Sequence, residues 1–584
     1  MTNYDLAPSV EVSAEAGACL EGWQEIGARL RAEAGRGAGL IAVECYPGVF
    51  VGEVERALTE ALRPAAILHA AEALKAREEI EQIACPLLTD DPVFGRMNDL
   101  TLEDLFDAGR LEGMRRRAGE RHEGVTLVIG TGAALTAPHA DVLVYADLAR
   151  WEIQGRQRKH QVANLGVANL ADRPGALYKR AFFLDWRVCD RLKRQLLDPI
   201  DFLLDTNQRE TPRMITGADF REGLDRAARR PFRVVPFFDP GPWGGTWMMD
   251  TFGLPRNQPN YAWCFDCVPE ENSLLLGFGA RRVEIPAIDL VFYRPQELLG
   301  DFVYRRFGAE FPIRFDLLDT LNGGNLSLQV HPLTSYIREK FGMSYTQDES
   351  YYMLDAAPDA SVYLGLKTGI DRARMAADLR LAQGGGASFP AEQYVNRWPA
   401  SKHDHFLIPG GTIHCSGRNS VVLEISATPY IFTFKLWDWE RLGLDGRPRP
   451  IHLDHGLENI QWDRTTDWVK HNLVNRVEPL GAADGWREER TGLHELEFIE
   501  TRRHWFSGPV THECGGSVNV LNLVEGREAT VESCDGAFEP FVVHYAETFI
   551  VPAAVGRYTI RPTGAARGKE CATIKASVRN GYAG

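Results

Sequence analysis

Apolar and polar positions divide the chain into two textures. In the N-terminal third, apolar residues recur at helical spacing over Glu53–Leu62 and Ala70–Ile83. Between them stand short unbroken apolar runs at Gly39–Glu44, Val125–Ile129 and Val142–Tyr145. Strands alternating with helices predict a parallel sheet in an α/β domain. After Phe232 the helical spacing thins, and Val, Phe, Tyr, Gly and Pro mark many short strands and turns, the pattern a β-barrel requires. A helical insertion interrupts this region, clearest over Ala373–Leu381 and followed by Gly384-Gly385-Gly386. Beyond Glu478 a second β-rich unit carries strand signals at Phe498–Glu500, Val518–Val524 and Glu547–Pro552. The pattern predicts a multidomain chain: an α/β domain over 1–215, a β-barrel domain with a helical insertion over 216–477, and a C-terminal β domain over 478–584. The first boundary falls in the segment Thr211–Arg230.

Composition narrows the class. A length of 584 residues exceeds what one hydrophobic core serves, which agrees with several domains. Hydrophobic content of 44% and charged content of 25% are those of a soluble globular protein. The net charge of −15 argues against nucleic acid or an anionic membrane as the main partner. Ten scattered Cys are too few for a disulfide scaffold and suit reduced thiols. Cys264 and Cys267 have the spacing of a zinc knuckle, but with no second pair they are read as strand residues. The N-terminus has neither a basic nor an apolar signal region, and no apolar run is long enough to span a membrane, so a soluble, cytoplasmic protein is expected.

The chemistry concentrates in three places: Gln329-Val330-His331-Pro332, Glu349, and Pro409-Gly410-Gly411-Thr412-Ile413-His414. Gln329 and His331 are two apart and share one side of a strand. Pro409–Thr412 reads as a tight turn that returns His414 toward the same interior. One amide oxygen, two imidazoles and one carboxylate form a donor set suited to Zn²⁺ with positions left open. The other reading of the same residues is a set of satisfied polar side chains at strand edges.

These stretches, with Trp243-Gly244-Gly245-Thr246, Val422-Leu423-Glu424 and Phe432–Trp439, resemble in order and spacing the type I phosphomannose isomerases, which are zinc-dependent cupins. The resemblance runs from Pro231 to the C-terminus. It implies two cupin barrels, the second without metal, with Gln329, His331, Glu349 and His414 as zinc ligands. It implies interconversion of mannose 6-phosphate and fructose 6-phosphate by a proton shift between C1 and C2 through a cis-enediol. Lys435 aligns with an arginine that the family places opposite the zinc, and Glu424 is a second candidate for the catalytic machinery. Trp243, Lys367 and Arg441 are candidates for binding the sugar phosphate. Gln347 departs from the family, which has a lysine there. This loss and the Lys435 exchange keep open a second function, a weakened cupin that binds or senses a sugar or sugar phosphate.

In the N-terminal domain, strand Gly39–Glu44, loop Cys45–Gly52 and helix Glu53–Leu62 have the order of a phosphate-binding loop. The segment resembles nucleoside and uridine kinase-like P-loop proteins. The lysine such a loop needs is replaced by Val51 or Glu53 in either alignment, and no Ser or Thr follows in register. The domain is therefore expected to be degenerate, structural or regulatory. The basic stretch Arg150–Lys159 is read as a solvated helix face.

Overall fold

In the computed structural model, residues 3–580 are described, apart from 16, 38, 121, 428, 429, 431 and 493. The chain forms two compact units. One holds residues 9–227 and 271–294, and the other holds 1–8, 228–270 and 295–584. Residue 215, where the sequence pattern places the first boundary, lies inside strand Arg213–Thr216.

The apolar runs of the N-terminal region are buried on both faces, and they become the centre of a seven-stranded sheet. Its order is Cys19–Glu21, Arg213–Thr216, Phe202–Asp205, Val142–Asp147, Leu40–Cys45, Thr126–Gly130, Ala66–His69. The last five run parallel to their neighbours, as near-continuous hydrophobic strands do when helices cover both sides. The first two are antiparallel additions at one edge. A separate sheet of Ser9–Ser13, Ser273–Phe278 and Arg281–Pro286 belongs to the same unit.

Two expectations fail here. The helical spacing over Ala70–Ile83 splits into a 3₁₀ turn at Ala70–Ala73 and a helix at Arg77–Leu88. Leu74 between them is extended and bridges to Phe106, so a tertiary pairing interrupts the helix. The basic stretch is not wholly a solvated face either, because Arg150 and Arg156 are each 1% exposed. Arg150 pairs with Asp190 at 2.7 Å, and Arg156 with Glu152 at 2.8 Å.

The other unit is antiparallel. A six-stranded sheet runs His405–Ile408, Glu349–Ala356, Ser420–Ser426, Arg314–Asp319, Trp263–Cys267, Phe237–Asp239. A five-stranded sheet runs Val395–Pro399, Ser361–Leu366, His414–Ser416, Leu328–Val330, Phe434–Trp437. The insertion expected at Ala373–Leu381 is helix Arg372–Gln383. Cys264 and Cys267 are buried on strand Trp263–Cys267. Near the C-terminus, a six-stranded and a four-stranded sheet contribute Phe506, Leu521 and Phe549, and Val531 and Ile560, to one core. Residues 3–8 belong to this unit. Tyr4 donates to Asp266 at 2.7 Å, and the Asp5 amide donates to Glu547 at 2.6 Å. Arg233, 2% exposed, sits between the same two carboxylates, 2.8 Å from Glu547 and 3.5 Å from Asp266.

Candidate metal centre

Strand Leu328–Val330 carries Gln329 and leads directly into His331, while Glu349 and His414 each open a strand. Gln329 lies opposite His414 in the antiparallel register. The turn before His414 needs Gly411, whose φ of 86° is costly for any side chain. Two buried groups hold that turn. Asp348 accepts from the Gly410 amide at 2.7 Å, and Arg464 donates to the Pro409 and Gly410 carbonyls at 2.8 Å each.

The ligand atoms of His331, Glu349 and His414 lie within 4.8 Å of one another, all buried. His331 Nε2 is 3.0 Å from Glu349 Oε2, and His414 Nε2 is 2.8 Å from Glu349 Oε1. The six-stranded sheet that carries Glu349 and the five-stranded sheet that carries His414 thus meet at the site. Each imidazole is fixed by its other nitrogen. Nδ1 of His331 donates to the Phe432 carbonyl at 2.9 Å, and Nδ1 of His414 to the Thr412 carbonyl at 2.8 Å. A neutral imidazole that donates through Nδ1 carries its lone pair on Nε2. When both imidazoles are neutral their Nε2 lone pairs face the Glu349 carboxylate, a repulsion that either a proton on the ring or a bound cation relieves. His331 Nε2 and Glu349 Oε1 make no aligned hydrogen bond, and leaving such groups unpaired when buried is costly.

The residues fit a divalent ion, and two imidazoles with one carboxylate are donors that zinc takes. Gln329 joins them: its amide nitrogen is 3.2 Å from His414 Nε2, and a flip of the amide puts its oxygen there instead. Burial disfavours charge on Glu349, but His331 and His414 outweigh it and hold the carboxyl well below the usual range. Burial also opposes charge on His331, while Glu349 pulls its pKa up.

The other candidates fall around this centre unevenly. Lys435 is the cross-strand partner of Gln329. Burial and then Arg449 bring its pKa down to about 8. Arg449 and Arg441 both pair with Asp438, at 2.6 Å and 2.9 Å, and Arg449 also donates to Ser327 at 2.8 Å. Glu424 lies opposite both Tyr351 and Asp316 on adjacent strands and accepts from Ser426 at 3.0 Å. Burial, then the charges of Glu349 and Asp316, raises its pKa well above the usual carboxylate value. Gln347 donates to Glu349 Oε2 at 3.1 Å, which gives the neutral residue a positioning role. Trp243 is 1% exposed and meets Trp263 edge-on at 4.6 Å between centroids, so it shapes the turn rather than presenting its ring to a ligand. Lys367 is exposed and turned to the Glu392 carbonyl.

Sequence reasoning missed Asp348 and Arg464. Asp348 stands beside Glu349, and no local pattern marks it as a support of the turn. Arg464 lies in no motif, and only the fold brings it to the turn.

A family model described as a domain of unknown function (DUF8485) matches residues 22–229. Mannose-6-phosphate isomerase ManA of Bacillus subtilis is 24% identical over 246 residues, 40% of this chain and 68% of that protein. The mannose-6-phosphate isomerase of Streptococcus mutans is 24% identical over 291 residues, 49% of this chain and 82% of that protein. Nearly half of the chain is thus similar to mannose-6-phosphate isomerases. Among solved structures, the mannose 6-phosphate isomerase from Bacillus subtilis aligns at a TM-score of 0.48 with 19% identity, over 60% of this chain and 99% of that one. A zinc-bound holo mannose 6-phosphate isomerase aligns at 0.46 with 14% identity, over 60% of this chain and 100% of that one.

Proposed function

We propose that this chain is a zinc-dependent aldose–ketose isomerase that interconverts mannose 6-phosphate and fructose 6-phosphate. The observation that carries the reading is the convergence of His331, Glu349 and His414, with Gln329 beside them, on one buried point. The similarity to proteins named mannose-6-phosphate isomerases supports the choice of sugar. Within the domain proposed over 216–477, residues 228–270 and 295–477 form the catalytic cupin, and the domains over 1–215 and 478–584 carry no part of this chemistry.

When bound, the zinc ion supplies a Lewis acid for the oxygens of the sugar. Gln329, His331, Glu349 and His414 would hold it, with both imidazole rings oriented by backbone carbonyls. Lys435 stands beside Gln329 as a cation for the negative charge that grows on a sugar oxygen as the proton leaves C2 or C1. Arg441, Arg449 and Asp438 together carry one net positive charge near Lys435, a place for the 6-phosphate. Glu424, anchored by Ser426 and disfavoured as an anion by burial and by Glu349, is a candidate to carry a proton at the site.

The test is a coupled assay of the zinc-reconstituted full chain with mannose 6-phosphate. Absence of turnover, with His331→Ala indistinguishable from wild type in metal content, defeats the reading. Gln347 favours a second reading, a sugar-phosphate-binding protein with little turnover, because a neutral amide rather than a cation contacts Glu349. Calorimetric binding of mannose 6-phosphate without conversion supports it.

A further inference from the structure

The unit that contains the parallel sheet holds a cavity that the proposed chemistry does not use. Strands Leu40–Cys45, Ala66–His69 and Thr126–Gly130 all end at one cavity of about 860 Å³. That volume falls within the range of small-molecule sites, and the crevice beyond the carboxyl ends of parallel strands is where open α/β sheets bind ligands. Leu74, Ile129, Val162 and Leu165 give it apolar walls, and the loop from Tyr46 to Gly52 forms one side.

The charges around the cavity determine what it accepts. Glu53, 9% exposed, is fixed at the end of the loop by the Glu210 amide at 2.8 Å and by Arg209 at 3.3 Å. Arg156 donates to the Gly48 carbonyl and to Glu152, at 2.8 Å each, and so is committed to the protein. Arg56 pairs with Glu210 at 3.1 Å, and His69 stands between Glu55 at 3.1 Å and Glu72 at 3.6 Å. Arg77, at the start of helix Arg77–Leu88, lines the cavity and has no ion pair among the described residues. Among the described residues that line the cavity, Arg77 is therefore the cation left for a ligand, since Arg56 and Arg209 pair with Glu210 and Glu53. A polyphosphate would bring several negative charges to a loop without lysine and beside the Glu53 carboxylate, which is unfavourable.

We propose that this cavity binds an organic monoanion with an apolar body, its charged head at Arg77 and its body against Leu74, Ile129, Val162 and Leu165. A carboxylic acid of medium length has this chemistry. The ligand enters from the face where the parallel strands end, and Glu53 excludes nucleoside triphosphates.

Fluorescence titration of the full chain with 8-anilinonaphthalene-1-sulfonate tests the site, because that probe combines one negative charge with an aromatic body. Octanoate is expected to displace it and Mg-ATP is not. Arg77→Ala, a change at an exposed side chain, raises the probe's Kd roughly tenfold, as expected for loss of one charge-assisted contact at an open rim. The neutral N-phenyl-1-naphthylamine binds wild type and Arg77→Ala alike. Ala163→Trp, which fills the cavity, removes binding of both probes. Probe binding that neither variant changes, or displacement by Mg-ATP at micromolar concentration, overturns the proposal.

Discussion

Replacing His331 by alanine tests the metal centre through two linked quantities, affinity and its pH dependence. A complete structural zinc site is worth roughly 10–16 kcal/mol, so one of four donors is worth about 3 kcal/mol and roughly two orders of magnitude in Kd. The geometry adds a second expectation. As a metal ligand His331 would bind through Nε2, which lies 3.0 Å from Glu349, and that carboxylate raises the pKa of the imidazole. Metal must therefore displace a proton from His331 at any pH below that raised value. In that range one bound proton contributes about one unit of log Kd per pH unit. The His331→Ala protein lacks this proton, so its plot of log Kd against pH is shallower by about one below neutrality. Competition with a chromophoric chelator from about pH 5.5 to pH 8, the window in which imidazoles titrate, measures both quantities. A Kd within about threefold of wild type, together with an unchanged slope, would refute the reasoning, because loss of one donor cannot cost so little.

Arg233→Met leaves Asp266 and Glu547 buried without their shared cation and is expected to cost about 3–5 kcal/mol. Burial disfavours charge on both carboxylates and Arg233 counters it, so its loss raises their folded-state pKa values. Groups raised in this way favour folding at low pH and lose that contribution as pH rises, so the deficit in urea unfolding should be larger at about pH 8 than at about pH 5. Equal deficits contradict the argument. For Lys435, the pKa of about 8 predicts that turnover falls as the ammonium deprotonates above that pH. Lys435→Arg should abolish that descending limb and Lys435→Met should remove turnover, both read from kcat profiles. Gly245→Ala puts a Cβ 2.2 Å from Asp319 Oδ1 and 2.4 Å from the Leu321 carbonyl, so it is expected to destabilise by about 2 kcal/mol in thermal unfolding.

Much of the site was legible because its donors are chemically unusual and sit beside readable turn chemistry. Gln329 and His331 share a side by the simple alternation of a strand, and Pro409–Thr412 announces the turn that returns His414. The supports were not legible. Arg464 reaches the Pro409 and Gly410 carbonyls across 55 and 54 positions of chain, and no local pattern encodes such a contact. Lys435 was visible as a cation, but its depressed pKa comes from burial and from Arg449, neither of which the sequence displays. In the parallel-sheet unit, strand centres were readable from apolar runs. The break at Leu74 was not, because a bridge to Phe106 overrides a good helical spacing. Arg150 and Arg156 show the same limit: basic residues in a row look solvated until the tertiary fold supplies Asp190 and Glu152.

The chain passes from one compact unit to the other after residues 8, 227, 270 and 294. A ribosome that has released the first 227 residues has therefore not yet made the hairpin Ser273–Pro286, whose first strand completes the pairing of Ser9–Ser13. The earlier unit must wait, partly assembled, until synthesis passes Arg294. A gene cut at residue 215 would strand that hairpin on the wrong fragment and leave Tyr4 and Asp5 without the carboxylates they bind. Separated pieces should recover full order only when mixed.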